Sequence, residues 1–167
     1  NKENKKISFV TDMKIDLANA IRRSALEIPI MAIDEVEIED VRVFEVYYKN
    51  GELIGLYLTD HYVRESKRGG AWMNAYRSQY VTEKGEFVKP IIVNVLNYPR
   101  PTGDKPTLLT FSQASTLFHE FGHAAHGFLS NGIYPSQAGT SVPRDFVEFP
   151  SQVLENWMYE PEVLSKF

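Results

Sequence analysis

Three of the chain's four histidines, His119, His123 and His126, fall in one short stretch. If that stretch is helical, 100° per residue sets their directions at about 0°, 40° and 340°, so all three share one face. His119-Glu120-Phe121-Gly122-His123 has the His-Glu-x-x-His spacing. In that pattern two imidazoles one turn apart converge on a Zn2+ ion, and the intervening glutamate stands beside the water that the ion activates. On an ideal helix Glu120 points about 60° to 100° away from the two histidines, which suits a base rather than a ligand. The chain has no cysteine, so disulfides, cysteine nucleophiles and zinc-finger patterns are excluded and a metal has to be held by His, Asp or Glu.

A catalytic zinc takes three protein ligands and keeps one position open. Glu148 lies 25 residues after His123, on the next predicted helix, and is the candidate third ligand. Glu155, Glu160 and Glu162 lie farther along and read as solvated surface. His126 is two turns from His119, about 10.5 Å along the axis, too far to share an ion with it easily. It reads as a hydrogen-bonding partner behind the ligands or as a structural histidine. Gly122, inside the predicted helix, costs about 1 kcal/mol relative to Ala and predicts the close approach of another backbone or a ligand.

The elements that must position these residues are legible in part. Thr110 or Ser112 caps a long helix that reaches about Leu129 and stops at Asn131-Gly132, and a second helix is predicted from near Asp145 to Tyr159, before Pro161. Arg42 to Tyr48 and Leu53 to Leu58 are rich in β-branched and aromatic residues, and the Asn50-Gly51 pair between them predicts a hairpin. Ile91 to Leu96, a continuous apolar run between Pro90 and Pro99, predicts a buried strand. Arg64 to Tyr80 has no periodicity that decides between loop and short edge strand. At the start, Ile7 to Val10 predicts a strand, Asp16 caps a helix over Leu17 to Leu26, and Met31 to Glu39 predicts a second strand. The fold class expected is α+β, with a hairpin and further strands beside a long zinc-binding helix and a second ligand-bearing helix.

The 167 residues, 43% hydrophobic and 24% charged, are enough for one ordinary domain or two small ones. A net charge of -4 and a pI near 5.6 give no electrostatic footprint for nucleic acid. No apolar run approaches the ~18 to 20 residues of a membrane span, and Asn1-Lys2-Glu3-Asn4-Lys5-Lys6 has no signal-peptide character. The expectation is a soluble chain, cytoplasmic or alternatively periplasmic, without nucleic-acid or membrane partners.

Phe118 to Gly127, then Gly139-Thr140-Ser141-Val142-Pro143-Arg144-Asp145-Phe146-Val147-Glu148-Phe149-Pro150-Ser151-Gln152, resemble the thimet-oligopeptidase family of zinc metallopeptidases, in particular its bacterial peptidyl-dipeptidases. The resemblance runs upstream through Lys67-Arg68-Gly69-Gly70-Ala71-Trp72-Met73 to about Val41. It implies that His119, His123 and Glu148 bind zinc, that Glu120 is the general base, and that short peptides are the substrates. Gly70 and Ala71 would lie on an edge strand that pairs with an extended peptide. Enzymes of this kind are several times longer and mainly helical, with downstream His and Tyr donors for the substrate. The chain has no histidine beyond His126, so residues 41–167 read as a partial catalytic domain with weak activity alone.

Residues 1–40 carry a different resemblance. Ile7 to Val10, Leu17 to Arg23, Glu27-Ile28-Pro29 and Ala32 to Glu39 are similar to the start of the α-like assembly subunit of archaeal RNA polymerase, whose strand-helix-strand opening contributes to heterodimerisation. That resemblance implies a junction near Asp40, a chimeric chain, and a protein partner bound through residues 1–40. The rival to a peptidase is therefore a non-catalytic assembly module.

Overall fold

The structure, a computed structural model, describes residues 40–103 and 107–165. The predicted strand-helix-strand opening lies outside the described residues. No helix among them is long and apolar enough to cross a membrane.

Strand β1 (Val41–Tyr47) and strand β2 (Leu53–Tyr62) form the predicted hairpin, with Val43 opposite Leu58. Gly51 sits at φ 87°, and the Asn50 side chain accepts from the Glu52 N–H at 3.0 Å, so the Asn-Gly pair makes the turn that its chemistry favours. β2 continues four residues beyond the predicted Leu58, because its second half pairs in parallel with a later strand. Strand β3 (Trp72–Arg77) comes from the stretch that the sequence left undecided. A small ribbon follows, β4 (Tyr80–Val81) with β5 (Phe87–Val88), and then β6 (Ile91–Tyr98), the predicted buried strand. The sheet order is β1-β2-β6-β3, with β6 parallel to β2 and antiparallel to β3. β3 therefore forms one edge.

Helix α1 (Phe111–Phe128) lies across one face of this sheet. Thr110 caps it as predicted, in a reciprocal box: Gln113 N–H donates to Thr110 Oγ1 at 3.2 Å, and Thr110 N–H donates to Gln113 Oε1 at 2.9 Å. Ala124 and Phe128 of α1 pack with Val46, Ile54, Tyr57 and Ile92 of the sheet, and Phe121 and Phe128 meet the Tyr57 ring edge-on. The opposite face buries Val43, Leu56, Leu58, Ile91 and Val93.

The second helix departs from expectation. Residues 144–148 are turn, helix α2 covers only Phe149–Glu155, and the chain continues as a 3-10 turn over Asn156–Tyr159 before a short helix α3 (Pro161–Leu164). Pro150 is the reason, since a helix beginning at Asp145 would need an N–H at that position to donate to Phe146, and proline has none. Glu148 thus stands at the N-terminal boundary of α2 and not within a helix. α2 packs against α1 at Gly122, where a Cβ would lie 2.5 Å from the Ser151 Cα and 2.9 Å from the Pro150 carbonyl oxygen. This is the close backbone approach that Gly122 predicted.

Candidate metal centre

Two elements distant in sequence build the site. α1 presents His119 and His123 one turn apart, their ring centroids 5.0 Å from each other. The turn before α2 brings in Glu148, whose Oε2 lies 3.2 Å from His119 Nε2 and 3.1 Å from His123 Nε2. One ligand atom from each of the three lies within 4.8 Å of the other two. Tetrahedral ligands bonded at about 2.0 to 2.1 Å stand roughly 3.3 Å apart, so the spacing of the carboxylate oxygen from each imidazole suits a zinc ion. The fully buried Ser151 fixes the carboxylate, its hydroxyl lying 2.9 Å from Glu148 Oε2 and 2.8 Å from the Glu148 carbonyl oxygen.

The ionisation states also fit a metal. Burial pushes the His123 imidazole below its usual range, against the pull of Glu148. Slight burial pushes the Glu148 carboxyl up, but the Ser151 hydroxyl and the two imidazoles outweigh it and hold the group below its ordinary value. A neutral imidazole and an ionised carboxylate are the forms that ligate.

Glu155, read from the sequence as solvated surface, lies instead behind the site. Its Oε2 is 3.2 Å from His119 Nδ1, and its Oε1 accepts from Ser115 Oγ at 2.9 Å. A carboxylate on the distal nitrogen orients a ligating imidazole and leaves Nε2 unprotonated for the metal. No local signal in the sequence marked it, because the histidine it meets is 36 residues away. Glu160 and Glu162 are exposed, as expected. His126 does not join the trio; its ring packs on Phe146 and burial lowers its pKa.

Glu120 is 6% exposed and faces β3, where the Met73 backbone favours its ionised form. Burial raises its pKa, the His119 charge lowers it and Glu148 raises it further, with a net upward shift. Behind it lie Tyr57, Tyr98 and the fully buried Asn94, residues that sequence reasoning did not single out. The Tyr98 hydroxyl, pushed up to about 12 by burial and by Glu120, donates to the Gln113 carbonyl at 2.7 Å. Gly70 and Ala71 lead directly into β3, with Gly70 exposed at φ 95°. Met73 therefore connects the edge strand to the glutamate beside the histidines.

Comparison with known proteins agrees with this geometry. The family described as peptidase family M3 matches residues 7–167, a span that includes most of the stretch resembling the polymerase subunit. Dipeptidyl carboxypeptidase of Escherichia coli (strain K12) is 44% identical over 128 residues, 77% of this chain and 18% of that protein. Oligopeptidase A of the same organism is 46% identical over 127 residues, 75% of this chain and 19% of the relative. Mitochondrial intermediate peptidase of Homo sapiens is 36% identical over 133 residues, 80% and 19% of the two chains. The chain thus spans about a fifth of the length of these relatives. A match of that extent, enclosing both histidines and the glutamate that returns to them, means that the chain belongs to peptidase family M3, whose cofactor is zinc.

Proposed function

We propose that this chain is the metal-binding part of a zinc peptidase that hydrolyses peptide bonds in short peptides, with His119, His123 and Glu148 as ligands and Glu120 as general base. The observation that carries the reading is the convergence of Glu148 Oε2 on both Nε2 atoms, beside a buried glutamate outside the ligand set. Bound there, zinc would supply Lewis acidity, polarising a carbonyl oxygen and bringing the pKa of water towards neutrality. Glu120 takes the proton of the attacking water and passes it to the departing amine nitrogen. Its burial supports that role, because a raised carboxyl pKa lies nearer the operating pH. The Met73 backbone favours the ionised carboxylate between the two transfers. An extended peptide adds to the open edge at Gly70 and Ala71 and runs along β3 towards Glu120.

The test combines metal stoichiometry with hydrolysis of a quenched fluorescent peptide. The chain binds one zinc, His123→Ala abolishes stoichiometric binding, and Glu120→Gln keeps the metal while losing hydrolysis. One-to-one zinc retained by His123→Ala would refute the ligand assignment, and loss of zinc from Glu120→Gln would make Glu120 a ligand.

A further inference from the structure

The segment that leads into β3 has almost nothing apolar to hold it. Glu65, Ser66, Arg68, Gly69 and Gly70 are exposed. A Cβ placed on Gly69 or Gly70 would meet nothing within 4 Å. Glycine has the widest conformational freedom of any residue, so a Gly-Gly lead-in without packing samples many shapes unless its carbonyls are held. Two side chains hold this segment. The Lys67 ammonium, 3% exposed, donates to the Tyr62 carbonyl at 2.8 Å, to the Asp60 carbonyl and carboxylate at 3.1 Å each, and to the Leu96 carbonyl. Beyond it, Asn97 Nδ2 donates to the Arg68 carbonyl at 2.8 Å and the Gly70 carbonyl at 2.7 Å.

The sheet register gives the second contact its meaning. Trp72 opposes Val95 in the antiparallel β3–β6 pair, and just before it the backbone bends at Gly69 and Gly70, with Gly70 at φ 95°, and meets Asn97 of β6. β3 begins only at Trp72, and at Gly70 the Asn97 amide takes the carbonyl in place of a backbone ladder. The side chain thus pins from the β6 side the bend that leads into the edge strand, whose other side is the one an added strand would take. We propose that Asn97 is a positioning residue for substrate: by binding the Arg68 and Gly70 carbonyls it fixes the bend at Gly69 and Gly70 that delivers Ala71 into β3, the edge that receives a peptide backbone. The inference rests on the edge-strand reading of Gly70 and Ala71 given above.

Asn97→Asp tests it, since the carboxylate keeps the shape and has no hydrogen to donate; Asn97→Ala is the second variant, without added charge. Peptide affinity is read by anisotropy of a labelled unstructured peptide in the Glu120→Gln background, where turnover does not interfere. Zinc affinity and trypsin cleavage after the exposed Arg68 are measured in parallel. Both variants are expected to bind peptide at least about tenfold more weakly and to be cut after Arg68 about tenfold faster, with zinc affinity unchanged. A purely structural role would move zinc and peptide affinity together or move neither. Peptide affinity unchanged in both variants overturns the inference while leaving the edge-strand reading intact. Absence of peptide binding when Asn97 is present refutes that reading and this inference with it.

Discussion

Gly122→Ala is the substitution in which helix packing and metal binding can be read against each other. By propensity alone, Ala in place of Gly inside α1 stabilises by about 1 kcal/mol. The added Cβ, however, would lie 2.5 Å from the Ser151 Cα, 2.9 Å from the Pro150 oxygen and 3.1 Å from the Ser151 nitrogen, all backbone atoms of α2. Ordinary contact is 3.4 to 4 Å, so α2 has to withdraw by about 1 Å. Overpacking of this kind costs about 1 to 3 kcal/mol, leaving a net loss of up to ~2 kcal/mol. The larger effect falls on the metal. Glu148 is three residues from Ser151 and hydrogen-bonded to it, so it moves with α2. Ligand distances tolerate only about 0.2 Å. Zinc affinity is expected to fall by at least about 10- to 100-fold, the loss seen when the support of a ligand is removed. The assay is competitive titration against a chromophoric chelator, with thermal unfolding alongside. Gly51→Ala is the control: at φ 87° with open space around it, it costs about 1 to 2 kcal/mol in a hairpin turn remote from the site and leaves zinc affinity alone. Zinc affinity unchanged in Gly122→Ala, or reduced equally in Gly51→Ala, would refute the argument.

Glu155→Gln removes the carboxylate from His119 Nδ1 and is expected to weaken zinc about tenfold, with Ser115 still able to hydrogen-bond the amide; isothermal titration checks it. Lys67→Met removes a buried ammonium from Asp60 while Arg64 remains at 2.7 Å, so the cost is about 3 kcal/mol, seen as a fall of ~6 to 12 °C in Tm. Asp60 also sets a pH dependence. Burial raises its pKa, but Arg64 and Lys67 outweigh that and hold it below the ordinary 3.8, so its contribution is present above that value and lost as pH falls through the depressed one. Denaturant titrations from pH 5 to 2 should show this loss, and Asp60→Asn should remove it.

The features legible in the sequence are those set by local geometry. His119 and His123 share a face because any helix with that spacing puts them there, and Thr110 caps it through neighbours three residues away. Asn50-Gly51 makes its turn with its own backbone, and Gly122 announced a close approach because a helix interior seldom tolerates glycine without a reason. What only the tertiary structure decided depends on contacts between distant segments. β3 has no periodicity of its own and is a strand because β6 supplies its partner. Glu155 looked like one more exposed carboxylate until α2 folded back on α1 and set it against His119, 36 residues away. Glu120 follows the same rule. Its place in the motif is local, but the burial that raises its pKa comes from β3 and the sheet beneath, which only the folded chain brings to it.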